Sequence, residues 1–172
     1  MEFSDSLLVL ILAITVDAVM GDPRWLYSRI PHPIVVIGLQ IELLDRFLNK
    51  SHYPPITRKI LGVVSILIIV SSGWLIGWVI AWFCNQVSFG IILQAFIVSI
   101  FLAQNSLYRH VASVAKACKA DDIVDARSQI RHIVGRDPNS LDLKAIGRAA
   151  IESLSENFSD GVVAPIFWYA VG

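Results

Sequence analysis

Across 172 residues the apolar fraction is 55%, the charged fraction 16% and the mean hydropathy +0.64. That balance lies well away from an ordinary soluble domain or a disordered chain and points to an integral membrane protein. Equal numbers of acidic and basic residues leave no net charge, and few aromatics interleave the basic ones, which argues against a nucleic-acid partner.

The stretch Phe3 to Met20 is apolar apart from Ser4, Asp5, Ser6, Thr15 and Asp17, and reads as a span or an entering helix. It lacks the basic n-region and small-residue cleavage pattern of a signal peptide. An acid placed like Asp17 is a functional or paired group. The alternative is an interfacial position facing the Gly21-Asp22 turn.

Residues 21 to 60 form the first basic block, with Arg24, Arg29, Arg46, Lys50, Arg58 and Lys59. Pro23, Pro31 and Pro33 each fix φ and push the preceding residue away from helical geometry, so the block opens as a loop of turns. His32, between two prolines, is restrained and is a candidate for ligation or proton transfer. Ile37, Ile41, Leu44 and Leu48 then recur at helical spacing, predicting an amphipathic cytoplasmic helix over 34–48.

Leu61 to Phe83 carries no charge and exceeds the roughly 20 residues needed to cross a bilayer. Gly73 and Gly77 have the small-xxx-small spacing that permits close helix approach. Trp74, Trp78 and Trp82 share one face, as lipid-facing or interfacial residues do. Ile91 to Leu107 is also uncharged and reads as a further span, with Gln94, Gln104 and Asn105 as polar interruptions. Spans at 3–20, 61–83 and 91–107 put both basic blocks on one side, which the positive-inside rule assigns to the cytoplasm with the N-terminus outside. Cys84 and Cys118 then fall on opposite sides and do not pair; neither has metal-ligand spacing.

The second block, 108–161, reads as short amphipathic helices that bury against one another or the membrane. Asp121 or Asp122 caps a helix through Ile123, Ala126, Ile130 and Ile133, ended by Gly135. Another starts at Ser140 or Leu141, with Leu143, Ile146, Ala150, Ile151 and Leu154 on its apolar face. Asp160-Gly161 reads as its stop. A further span starts over 162–172.

Glu152 and Glu156 stand at i, i+4, where like charges repel. Either Arg148, one turn earlier, offsets that repulsion, or Glu156, Asn157 and Asp160 gather oxygen ligands for Mg²⁺. No P-loop, Gly-x-Gly-x-x-Gly, His-Glu-x-x-His or Gly-x-Ser-x-Gly motif occurs.

Four phrases occur in order: Asp17-x-x-x-Gly21-Asp22-Pro23-Arg24, Pro31-His32-Pro33-x-x-x-Ile37-Gly38, Ile133-Val134-Gly135-Arg136-Asp137, and Ala150-Ile151-Glu152-Ser153-Leu154-Ser155-Glu156-Asn157-Phe158-Ser159-Asp160-Gly161-Val162-Val163-Ala164-Pro165. Together they resemble the CobD/CbiB family of cobalamin biosynthesis, the adenosylcobinamide-phosphate (cobinamide) synthases. Pro138 stands where that pattern leads us to expect Thr.

The resemblance implies an all-α, polytopic inner-membrane protein with cytoplasmic helical segments, forming a single region over 1–172. It implies a ligase that uses ATP and Mg²⁺ to join aminopropanol, or its O-phosphate, in amide linkage to the corrinoid adenosylcobyric acid. Membrane lipid and other cobalamin-synthesis enzymes are the other expected partners. Within that reading we assign Asp22, His32, Asp137 and Glu152 to catalysis. Arg24, Arg136, Arg148 and Asn157 are assigned to substrate, and Glu156 and Asp160 to the metal; Arg109 is a further cation for phosphate or corrin carboxylates. The family resembled is roughly twice this length, so an N-terminal fragment, with a missing C-terminal half as partner, is expected. The competing reading is a non-catalytic membrane scaffold or AmpE-like sensor relative, or an inactive fragment.

Overall fold

The computed structural model describes residues 3–21, 27–29, 31–134 and 137–172, and every regular element among them is helical. In order these are α1 (Phe3–Met20), α2 (Pro33–Leu48), α3 (Pro55–Cys84), α4 (Gly90–Ser99), α5 (Gln104–Lys119), α6 (Ile123–Ile130), α7 (Leu143–Phe158) and α8 (Ala164–Val171). A 3₁₀ turn (Pro138–Ser140) precedes α7, and a π-helical turn (Ser159–Val163) joins α7 to α8. The chain divides into two compact units, Met1–Asp22 with Ala95–Gly172, and Pro23–Gln94. Among the described residues, the runs Pro55–Cys84 and Gly90–Lys119 are long and apolar enough to cross a membrane.

In the first unit α5, α6 and α7 bury one another. Val114 and Ala117, Ala126 and Ile130, and Ile146 and Ala150 form the core, with Leu141 and Leu143 packed against it. Local chemistry fixes the boundaries. Asp121 adopts φ +57° just past α5, and the Asp122 N–H reaches back to the Ala117 carbonyl at 3.1 Å, closing the helix end. The Asp122 carboxylate then accepts from the Val124 and Asp125 N–H groups at 3.1 and 2.9 Å, so of the two candidate caps Asp122 is the one used. Asp142 caps α7 through the Ala145 N–H at 2.7 Å, which starts that helix later than Ser140 or Leu141. Those two residues lie in the preceding turn, held by Arg127, whose guanidinium donates twice to the Leu141 carbonyl at 3.0 and 2.8 Å.

Two sequence expectations are corrected in this unit. Ile151 is 66% exposed, because the buried stripe of α7 runs through Ile146, Ala149, Ala150 and Ser153 instead. Asp160-Gly161 does not stop the helix: the backbone widens into the π turn and continues into α8. The expected span over 91–107 lies within the apolar run Gly90–Lys119, whose backbone turns at 100–103 through bonds such as Leu102 N–H to the Ser99 carbonyl at 3.1 Å.

In the second unit α2 lies antiparallel to α3. Asn49, at the end of α2, accepts from Arg58 near the start of α3 at 2.9 Å, and Gln40 donates to the Ser72 hydroxyl at 2.9 Å farther along. Ser72 lies within the uncharged stretch of α3, so α2 runs beside an apolar segment, where a solvated amphipathic helix was expected. Its exposed Ile34, Val35, Leu39 and Leu43 suit that placement. Trp74, Trp78 and Trp82 are 68%, 55% and 56% exposed, as a lipid-facing set requires. Among the described residues Gly73 and Gly77 mark no close helix approach: a Cβ at either position would meet nothing within 4 Å.

Candidate active site

The strongest organising contact of the first unit is a latch between α1 and the start of α5. Val9, Ala13 and Asp17 follow one another at i, i+4 down the buried side of α1, which carries the Asp17 carboxyl inward to 3% exposure. Its Oδ2 accepts from the backbone N–H groups of Gln104 and Asn105 at 3.0 and 3.3 Å, capping α5 from a distant helix. The two side chains reciprocate: Gln104 donates to the Ile14 carbonyl at 2.5 Å and Asn105 to the Ala18 carbonyl at 2.6 Å. Gly21, at φ +56°, folds the end of α1 back over Asn105, and its N–H donates to the Asp17 carbonyl at 2.8 Å.

The N–H groups of the turn itself are matched as well: Ile100, Phe101 and Leu102 donate to the carbonyls three positions earlier at 3.3, 3.0 and 3.1 Å. The Ala103 N–H finds its acceptor on the π turn, at the Gly161 carbonyl, 3.0 Å away. That bond ties the α7 to α8 junction to the latch. Gly161 also allows close contact, since a Cβ there would lie 3.1 Å from the Ala103 methyl.

On α7, at about 100° per residue, Ser153, Glu156 and Asn157 fall within one face, and Asp160 follows in the π turn. Ser153 is buried, whereas Glu156, Asn157 and Asp160 face outward. The Asn157 amide nitrogen donates to the Ser153 carbonyl at 2.7 Å, which turns Oδ1 away from the helix as a free acceptor. The face therefore presents two carboxylates and one amide oxygen. Among the described residues no three His, Cys, Asp or Glu side chains gather into a metal-ligand group. A divalent ion on this face would take further oxygens from phosphate and water, which is how Mg²⁺ is ordinarily held.

Of the other predicted site residues, Glu152 and Arg148 are exposed on α7, one and two turns before Glu156. Asp137 accepts from the Asn139 N–H at 3.0 Å and caps the 3₁₀ turn, a structural task in the loop that precedes α7. Pro138, the departure from the expected Thr, is buried beneath it. His32 belongs to the second unit: its Nδ1 accepts from the Ile34 N–H at 3.2 Å, capping α2, and its ring lies 4.6 Å from that of Tyr27. Asp22, Arg24 and Arg136 lie outside the described residues.

Sequence reasoning counted Gln104 and Asn105 only as interruptions of a span. The signal available was their adjacency, since two neighbouring amides in an apolar run need partners from another helix.

A family model described as CobD/Cbib protein matches residues 10–172. The chain is 46% identical over 169 residues to the cobalamin biosynthesis protein CobD of Rhizobium meliloti, covering 98% of this chain and 52% of that one. It is 42% identical over 167 residues to the protein of the same name from Brucella suis, covering 96% and 51%, and 39% identical over 166 residues to that of Pelobacter propionicus, covering 95% and 49%. The chain thus spans about half the length of the curated relatives it matches. No solved structure matches it.

Proposed function

The chain belongs to the CobD/CbiB family, and from that premise we propose that it acts in cobalamin biosynthesis, in the ATP-dependent step that attaches aminopropanol or its O-phosphate to adenosylcobyric acid. A carboxylate does not condense with an amine unaided. Phosphoryl transfer from ATP converts it to an acyl phosphate, which the amine displaces with loss of phosphate, and this requires metal ligands and cations around the phosphates.

The observation that best supports this reading is the outward oxygen face of α7, anchored through Gly161 and Ala103 to the buried Asp17 latch. Side chains on a helix fixed at its junction are held in position, as a metal and phosphate site requires. In this reading Glu156 and Asp160 hold Mg²⁺, with the Asn157 oxygen beside them. Arg148, Arg136 and Arg109 attract phosphate or corrin carboxylates, Glu152 assists proton transfer from the amine, and Asp137 holds the 3₁₀ turn that precedes α7. The family resemblance alone assigns Asp22 and His32 to catalysis and Arg24 to substrate. The location is the inner membrane, with the second basic block and the turn that carries Lys50, Arg58 and Lys59 on the cytoplasmic side.

The test is conversion of adenosylcobyric acid to the amide by native membranes carrying the protein, supplied with ATP, Mg²⁺ and aminopropanol phosphate. Glu156→Ala and Asp160→Ala should each lose the conversion while inserting normally. Amidation retained in both variants would overturn the site assignment.

A further inference from the structure

The groove between α2 and α3 encloses about 520 Å³, within the roughly 300–1,000 Å³ typical of small-ligand sites. Its lining is graded along its length. Arg58, Lys59, Asn49 and Asp45 gather at one end, and farther along only Ile41, Leu44, Ile66, Ile69 and the small Gly62 and Ser65 remain.

The polar end is organised. Arg58 donates through Nε to the Asn49 side-chain oxygen at 2.9 Å, and the Asn49 amide nitrogen donates to Asp45 at 2.8 Å. This chain occupies the Asp45 charge and orients the guanidinium, leaving its terminal nitrogens available, and Lys59 adds a second cation. From Arg58 the groove wall rises about 16 Å to Ile69 at about 1.5 Å per residue, the reach of a medium acyl chain.

We propose that this groove binds an anionic phospholipid, its phosphate held by Arg58 and Lys59 and one acyl chain laid between α2 and α3. Charge and polarity select this occupant: Asp45 balances only one of the two cations, so a neutral lipid leaves a net positive charge at this end, and a free anion leaves the aliphatic wall bare. Cations at the start of a span sit at headgroup depth, where each Lys or Arg strengthens anionic-lipid binding. Just beyond the lining, Gln40 donates to the Ser72 hydroxyl at 2.9 Å and that hydroxyl lies 2.9 Å from the Ile69 carbonyl, while Ser65 within the wall donates to the Leu61 carbonyl at 2.9 Å. The inference rests on α3 lying in a bilayer and not on the amidation reading.

The test is native mass spectrometry of the detergent-purified protein titrated with phosphatidylglycerol or phosphatidylcholine. Phosphatidylglycerol should be retained preferentially, and R58A/K59A should weaken its binding roughly 30-fold. Arg58→Lys keeps the charge but loses the Asn49-oriented fork and should weaken it only a few-fold, which guards against misfolding of the double variant. Ile66→Trp fills the apolar wall and should also abolish retention with both cations intact. Equal retention of the two lipids overturns the proposal. So does displacement by inorganic phosphate, or a lipid-independent dimer that Ile66→Trp dissolves.

Discussion

The Asp17 carboxylate caps a helix that begins 87 positions later in the chain, accepting from the Gln104 N–H at 3.0 Å while only 3% exposed. A negative charge at a helix N-terminus is favourable, and here it also satisfies two partly buried N–H groups. Asp17→Ala removes both acceptors and should destabilise the protein by about 3 kcal/mol; Asp17→Asn keeps one oxygen and should cost about 1 kcal/mol. Denaturant unfolding of the detergent-solubilised protein, followed by circular dichroism, measures both. An equal loss in the two variants would show that charge, and not hydrogen bonding, dominates the latch.

Gly21 stands against the same latch. Its φ of +56° and the 2.6 Å from a would-be Cβ to the Asn105 Oδ1 give two separate reasons for glycine. Gly21→Ala should lose about 2 kcal/mol, of which shortening Asn105 to Ala recovers only the steric share, while the backbone strain of about 1 kcal/mol persists. The double-mutant cycle separates these contributions, and full additivity would contradict the contact.

Neighbouring aspartates between α5 and α6 should respond with opposite signs. Asp121 sits at φ +57°, so Asp121→Gly relieves strain and should stabilise the unit by about 0.5 kcal/mol, offset in part by glycine's greater unfolded-state freedom. Asp122→Ala deletes the cap on Val124 and Asp125 and should cost about 1 kcal/mol. Melting temperatures of the two variants should move apart, and parallel shifts would refute the assignment of the caps.

Much of this was legible in the sequence wherever one segment decides its own structure. The uncharged run of α3, the Asp122 cap and the mutual burial of Ala126, Ile130 and Ile146 follow from local composition and helical periodicity. What was not legible depends on distant partners. Nothing local distinguishes Asp-Gly as a helix stop from Asp-Gly within a π turn; the acceptor need of the Ala103 N–H, about sixty positions earlier, is met there. The break at 100–103 escaped for the same reason, because the donors that follow it, Gln104 and Asn105, are satisfied by the distant Asp17. Likewise α2 has the pattern of a solvated helix until Gln40 is seen bonded to Ser72. The oxygen face of α7 was readable from spacing, and its anchoring was not.

That face leads to a prediction in which stability and function part. Glu156 is exposed and one turn from Glu152, a like-charged neighbour, and one turn from Asp160 on the other side. Glu156→Gln therefore relieves repulsion and should leave the protein unchanged or more stable by a few tenths of a kcal/mol, about 0.3. If the carboxylates hold Mg²⁺, the same change removes a ligand charge. It should raise the Mg²⁺ concentration needed for half-maximal amidation by about tenfold or more, with the requirement for the corrinoid little altered. Residues conserving stability at the expense of a charged site do not behave this way, whereas functional clusters commonly carry such strain. Titration of amidation with Mg²⁺, beside thermal unfolding of the same preparations, distinguishes the two: a variant with unchanged Mg²⁺ dependence would leave Glu156 a solvated surface charge.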